Sequence, residues 1–125
     1  MIGYVGNIEE ATEQNSNFRQ VVFTGAHTQL VAMSLLPGED IGSEVHETID
    51  QFFRLESGAL KIVMNGEEAT LTEGMAAIVP AGATHNVINV GREVAKLYTL
   101  YSPPNHPANT IHHTKAEALV AEHAK

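Results

Sequence analysis

From residue 18 onward the chain repeats one pattern. Short apolar segments rich in β-branched residues, at 20–24, 29–36, 51–55, 60–64, 76–79, 86–89 and 95–101, alternate with glycine, proline and asparagine. Many short strands at this spacing predict an antiparallel sandwich or barrel. Turn chemistry supports the division. Asn65-Gly66 separates 59–64 from 69–71, and this dipeptide favours the tight hairpin turn whose central residues need positive φ.

One helix is expected, at the C-terminal end. Thr114-Lys-Ala-Glu117 reads as a capping box, in which the threonine oxygen accepts from the Glu117 N–H and the glutamate reaches back. Ala116 and residues 118–121 continue it. Pro103, Pro104 and Pro107 prevent ladder pairing, so the preceding segment is expected to cross the outside of the barrel as an extended connector. Residues 1–17 are polar and weakly patterned and read as an N-terminal arm, 18–110 as the barrel, and 111–125 as connector and short helix.

With 125 residues and 43% hydrophobic content, the chain has the size of one domain that closes its core without staples. It has no cysteine, so disulfides, thiolate metal sites and cysteine nucleophiles are excluded. A metal would have to be held by nitrogen and oxygen. The net charge of -8, with seven scattered Lys and Arg, offers no basic stripe for nucleic acid. No apolar run approaches a membrane span and no leader pattern opens the chain, so a soluble, cytoplasmic protein is expected.

The chemistry concentrates in two blocks. If 44–46 is a strand, Glu44 and His46 project from one face, about 7 Å apart along the backbone at a rise of about 3.3 Å per residue. His85 follows the turn signal Pro80-Ala-Gly82 and is expected to begin a strand aimed into the interior. Gln51 shares a face with Phe53 and Leu55; a buried amide there needs a partner, since leaving it unpaired costs about 1–3 kcal/mol. Alternation sends Arg54 to the opposite face, and sends Tyr98 and Tyr101 to opposite faces of one strand. His27 reads as a turn histidine and His123 as solvated. His106, His112 and His113 lie in the connector, where a second metal site is not expected.

These residues resemble the two-block signature of the cupin superfamily, G-x5-H-x-H-x3/4-E-x6-G followed by G-x5-P-x-G-x2-H-x3-N. Gly74, Pro80, Gly82, His85 and Asn89 match the second block throughout. In the first, Gly38, His46 and Gly58 match, while Glu44 stands at the first histidine position and Gln51 at the glutamate position. Asp50 fits the shorter spacing, but Gln51 preserves the count to Gly58 and is preferred. Flanking segments, including Asn17 to Gly25 and Leu97 to Pro104, are similar to small single-domain bacterial cupins often labelled mannose-6-phosphate-isomerase-like.

The resemblance implies an all-β jelly-roll barrel (double-stranded β-helix) with a short C-terminal helix, and often a homodimer. It also implies a divalent transition metal (Mn, Fe, Ni, Zn or Co) held by Glu44, His46, Gln51 and His85. Nitrogen and oxygen donors suit these ions. A metal-dependent enzyme with isomerase-like proton transfer on a small sugar or keto acid is the leading expectation, Glu44 being base or ligand. Alternatives are a metal-dependent dioxygenase and a non-catalytic sugar- or metabolite-binding cupin. No cation cluster accompanies the motif, which argues against a phosphorylated sugar.

Overall fold

A computed structural model describes residues 1–123. In chain order the elements are α1 (Ile8–Gln14), β1 (Arg19–Thr24), β2 (Gln29–Leu35), β3 (Glu44–Val45), β4 (Asp50–Ser57), β5 (Leu60–Met64), β6 (Glu67–Leu71), β7 (Ala76–Val79), β8 (Thr84–Asn89), β9 (Ala95–Ser102), β10 (Ile111–His112) and α2 (Lys115–His123). The strands form two sheets, ordered β10-β1-β2-β9-β4-β7 and β3-β8-β5-β6, with every pair antiparallel. This is the jelly-roll arrangement expected of the sequence.

Period-two alternation decides which side of each sheet meets the other. Along β9, Ala95, Leu97, Thr99 and Tyr101 are buried while Lys96, Tyr98 and Leu100 are only partly covered. On β8, His85, Val87 and Asn89 face inward. Phe53, Leu55, Leu60, Ile62 and Leu97 are among the largest buried apolar side chains. Burying each contributes about 1.5–3 kcal/mol before the cost of ordering it. Phe52 and Tyr98 meet on the outer face, with ring centroids 6.1 Å apart. Arg54 is also outside, its Nε 3.1 Å from Glu56 Oε1.

Turns behave as their residues dictate. Met64 pairs with Glu67 across Asn65-Gly66, whose φ values of 47° and 84° are the left-handed conformations a two-residue hairpin loop needs. Gly58 is held at φ 98°, and a Cβ there would lie 2.9 Å from the Ala95 Cα on β9. Asn89 is buried and acts as a strut: its Nδ2 donates to the carbonyls of Leu35 and Glu93, and its Oδ1 accepts from the Gly91 N–H. The motif asparagine therefore holds loops rather than ligand.

The N-terminal arm departs from expectation by containing α1. Asn7 caps it, accepting from the Glu10 N–H at 3.0 Å, and Thr12 is its one buried residue. The helix packs on β9, β4 and β2, while Lys96 Nζ donates to the Asn15 carbonyl. Seven residues with no apolar stripe leave hydrophobic periodicity nothing to detect. Asn7 followed three residues later by Glu10 was the available signal.

The connector also differs. Instead of only crossing outside, it returns as β10, with Arg19 opposite His112 and Gln20 opposite Ile111. At α2, Thr114 Oγ1 accepts from the Glu117 N–H as a capping box requires, but Glu117 Oε2 accepts from His113 N–H. The His123 side chain lies outside the described residues. Among the described residues no helix is long and apolar enough to cross a membrane.

Gly58→Ala combines a positive φ with a backbone clash against β9. Its unfolding free energy is expected to fall by about 2 kcal/mol or more, read as a lower denaturant midpoint at unchanged slope.

Candidate metal centre

The antiparallel register between β3 and β8 places Glu44 directly opposite His85. Two residues further on, His46 comes to the same place, with its ring centroid 5.5 Å from that of His85. The turn before β8 is latched to this loop, because the Gly82 N–H donates to the His46 carbonyl at 2.8 Å. Candidate ligand atoms of Glu44, His46 and His85 all lie within 4.8 Å of one another.

Gln51 reaches the same point from β4 in the other sheet. It is 1% exposed. Its Nε2 donates to Thr99 Oγ1 at 3.0 Å and its Oε1 lies 3.2 Å from His85 Nε2. Asp50, the alternative at this motif position, instead accepts from the Ala81 N–H at the surface. All four residues singled out by the sequence are therefore brought together.

Two details fit a cation at this point. His46 Nε2 is 2.8 Å from Glu44 Oε2, yet this buried nitrogen makes no properly directed hydrogen bond. Adjacent ligand atoms bound to one metal at about 2.0–2.2 Å have a similar spacing and need no proton between them. The second detail concerns His85, whose Nδ1 faces the Ala83 carbonyl at 3.3 Å while Nε2 faces the Gln51 oxygen. Burial holds the His85 pKa below its ordinary value, although the Ala83 carbonyl and Glu44 act in the opposite direction. A neutral imidazole has one N–H, so one of those oxygens meets a bare lone pair. A cation at Nε2 removes the conflict. Turning the Gln51 amide over would remove it too, by directing an N–H at His85; the orientation observed directs the oxygen. Two imidazoles, a carboxylate and an amide oxygen form a donor set suited to a divalent transition metal.

A pocket of about 200 Å³ opens beside this cluster, with Glu44 and His46 in its wall. Volumes of about 300–1,000 Å³ are usual for drug-sized ligands, so this one suits a smaller molecule. Tyr101 is buried beneath, its ring edge-on to His46 at 5.9 Å and its hydroxyl 3.2 Å from His106 Nε2. Burial pushes its pKa up to about 12, against the pull of the Arg19 charge, so the hydroxyl keeps its proton at neutral pH.

Sequence reasoning missed the far wall. Arg19, His106, Thr110 and His112 line the pocket. Arg19 is brought there by β1 and β10, a pairing between residues more than ninety positions apart. Starting the strand at residue 20 left Arg19 outside it, whereas the structure begins β1 at Arg19 and buries Arg19 and Val21 on alternate positions. His106 and His112 serve this pocket; among the described residues, the only group of three or more potential ligands is Glu44, His46 and His85. His27 is exposed at its turn, as expected.

A double-sheet barrel carrying a Glu/His/His cluster at the edge of a small pocket defines the class. The chain belongs to the cupin family: residues 31–101 match the cupin domain. It is 47% identical to the uncharacterised Bacillus subtilis protein YrkC, over 95% of this chain and 67% of that one. An uncharacterised protein of Acanthamoeba polyphaga mimivirus is 44% identical over 86% of this chain and 70% of its own length. The crystal structure of BH2720 from Bacillus halodurans superposes with a TM-score of 0.92 at 42% identity, covering 94% of this chain and 93% of that one.

Thr99→Val keeps the shape of the buried side chain and removes the partner of the Gln51 amide. A loss of about 1–3 kcal/mol in unfolding free energy is expected from chemical denaturation.

Proposed function

We propose that this cupin is a metal-dependent enzyme that moves a proton on a small oxygenated molecule, in the manner of an isomerase acting on a keto acid or sugar. The observation that carries the reading is the position of Glu44. Its carboxylate belongs to the candidate metal cluster and also lines the pocket, with 23% of the side chain exposed. A divalent cation held by His46, His85, Glu44 and Gln51 would supply Lewis acidity, polarising a substrate carbonyl.

The remaining work falls to the chain's own groups. Glu44 is placed to take a proton from the carbon next to that carbonyl and return it. Gln51, fixed by Thr99, keeps its oxygen toward His85. The Tyr101 hydroxyl, still protonated at neutral pH, can donate but cannot compete as a base. The apolar core beneath excludes water from His85, which is 2% exposed.

The test is exchange of carbon-bound hydrogen with deuterated water, followed by NMR across a panel of small keto acids and ketoses. The wild-type protein loaded with manganese, iron, nickel, zinc or cobalt is expected to catalyse exchange on at least one member. Glu44→Gln is expected to lower that rate by about 100-fold or more, as for loss of a general base. Exchange restored by excess metal would assign Glu44 to holding the cation alone. No exchange on any member would contradict the enzymatic reading.

A further inference from the structure

Arg19 carries a charge that no carboxylate among the described residues answers, although its guanidinium lies 5.3 Å from the centre of the Phe18 ring and hydrogen-bonds the Tyr101 hydroxyl. It is 2% exposed, and no carboxylate among the described residues forms an ion pair with it. Its Nε has no hydrogen-bond partner among the described residues, while Nη1 lies 3.3 Å from His112 Nδ1. A histidine or lysine so placed could shed its proton, but a guanidinium cannot. Burying an unpaired charge is strongly unfavourable, so a strand position that keeps one needs a reason beyond packing.

The reason lies in the pocket. Arg19 forms one wall and Glu44 and His46 another, within a volume of about 200 Å³. Apart from Glu44, the acid in the lining is Glu122 on exposed α2, where solvent screens it. A planar fork matches a carboxylate by two parallel hydrogen bonds. One guanidinium with no lysine beside it among the described residues, in a space this small, suits a carboxylate better than a phosphorylated sugar.

We propose that the pocket binds a small 2-oxo or 2-hydroxy carboxylate, with the carboxylate paired to Arg19 and the neighbouring oxygen turned toward Glu44, His46 and His85. The second half of this assignment rests on the metal reading of the centre, because a cation there offsets the repulsion between Glu44 and an anionic ligand. The carboxylate half does not. Arg19 thereby selects keto and hydroxy acids over neutral sugars.

The experiment compares pyruvate with hydroxyacetone, which lacks the carboxylate, and with acetate, which lacks the second oxygen. Binding is followed by calorimetry and by the shift in melting temperature, using metal-loaded wild-type protein, Arg19→Met, Arg19→Lys and His85→Ala. Wild type is expected to bind pyruvate more tightly than hydroxyacetone, and Arg19→Met to bind pyruvate about tenfold or more weaker, with Arg19→Lys between them. His85→Ala is expected to bind pyruvate and acetate equally, both still through Arg19. If wild type already treats pyruvate and acetate alike while Arg19→Met loses both, the carboxylate site stands and the metal reading falls. Equal binding of pyruvate and hydroxyacetone by wild type, no binding of pyruvate, or undiminished binding by Arg19→Met would overturn the proposal. The wild-type comparison decides even where the methionine variant fails to fold.

Discussion

The meeting of Gln51 and His85 between the two sheets ties chemistry to scaffold. Gln51 shares its inward face with Phe53 and Leu55, His85 shares its own with Val87 and the buried Asn89, and each is almost wholly buried. Polar groups in such a place must be satisfied: Thr99 satisfies the Gln51 amide N–H, while His85 faces the Ala83 carbonyl and the Gln51 oxygen and has one N–H for the two. The register of β4 against β9 and of β8 against β3 is therefore also the geometry of the site. A one-residue slip in either would turn these groups to the outside and put their neighbours in the core.

The pocket edge is built differently from its floor. His85 and Gln51 are locked by the barrel, whereas Glu44 opens a two-residue strand, His46 lies just beyond its end, and both remain partly exposed. Rigid ligands with a softer carboxylate beside them suit the metal-assisted proton transfer proposed above. The opposite wall comes from the first strand and from the proline-rich return of the chain, so the pocket closes only when both ends of the chain are in place. Asp40 reinforces that closure: the Asn86 amide and the Lys115 ammonium hold its carboxyl below its usual pKa and join the loop before β3 to the start of α2.

Much of this was legible in the sequence because short-range rules governed it. The Asn65-Gly66 hairpin, the inward side of each long strand, and the spacing that joins Glu44, His46, Gln51 and His85 all follow from periodicity, turn chemistry and a two-block motif. Arg19 did not, since its role depends on β10 arriving from the far end of the chain, and no local pattern encodes that pairing. Helix α1 escaped for another reason: it is stabilised by a cap, a buried threonine and docking on the sheet, with no apolar stripe to advertise it.

The central claim is that Glu44, His46, Gln51 and His85 hold one divalent transition metal. Elemental analysis of untagged protein, before and after reloading, tests it against His85→Ala. The account predicts near-stoichiometric metal in the wild type and its loss in the variant. Wild-type protein that takes up no manganese, iron, nickel, zinc or cobalt, or a variant that retains its metal undiminished, would contradict it.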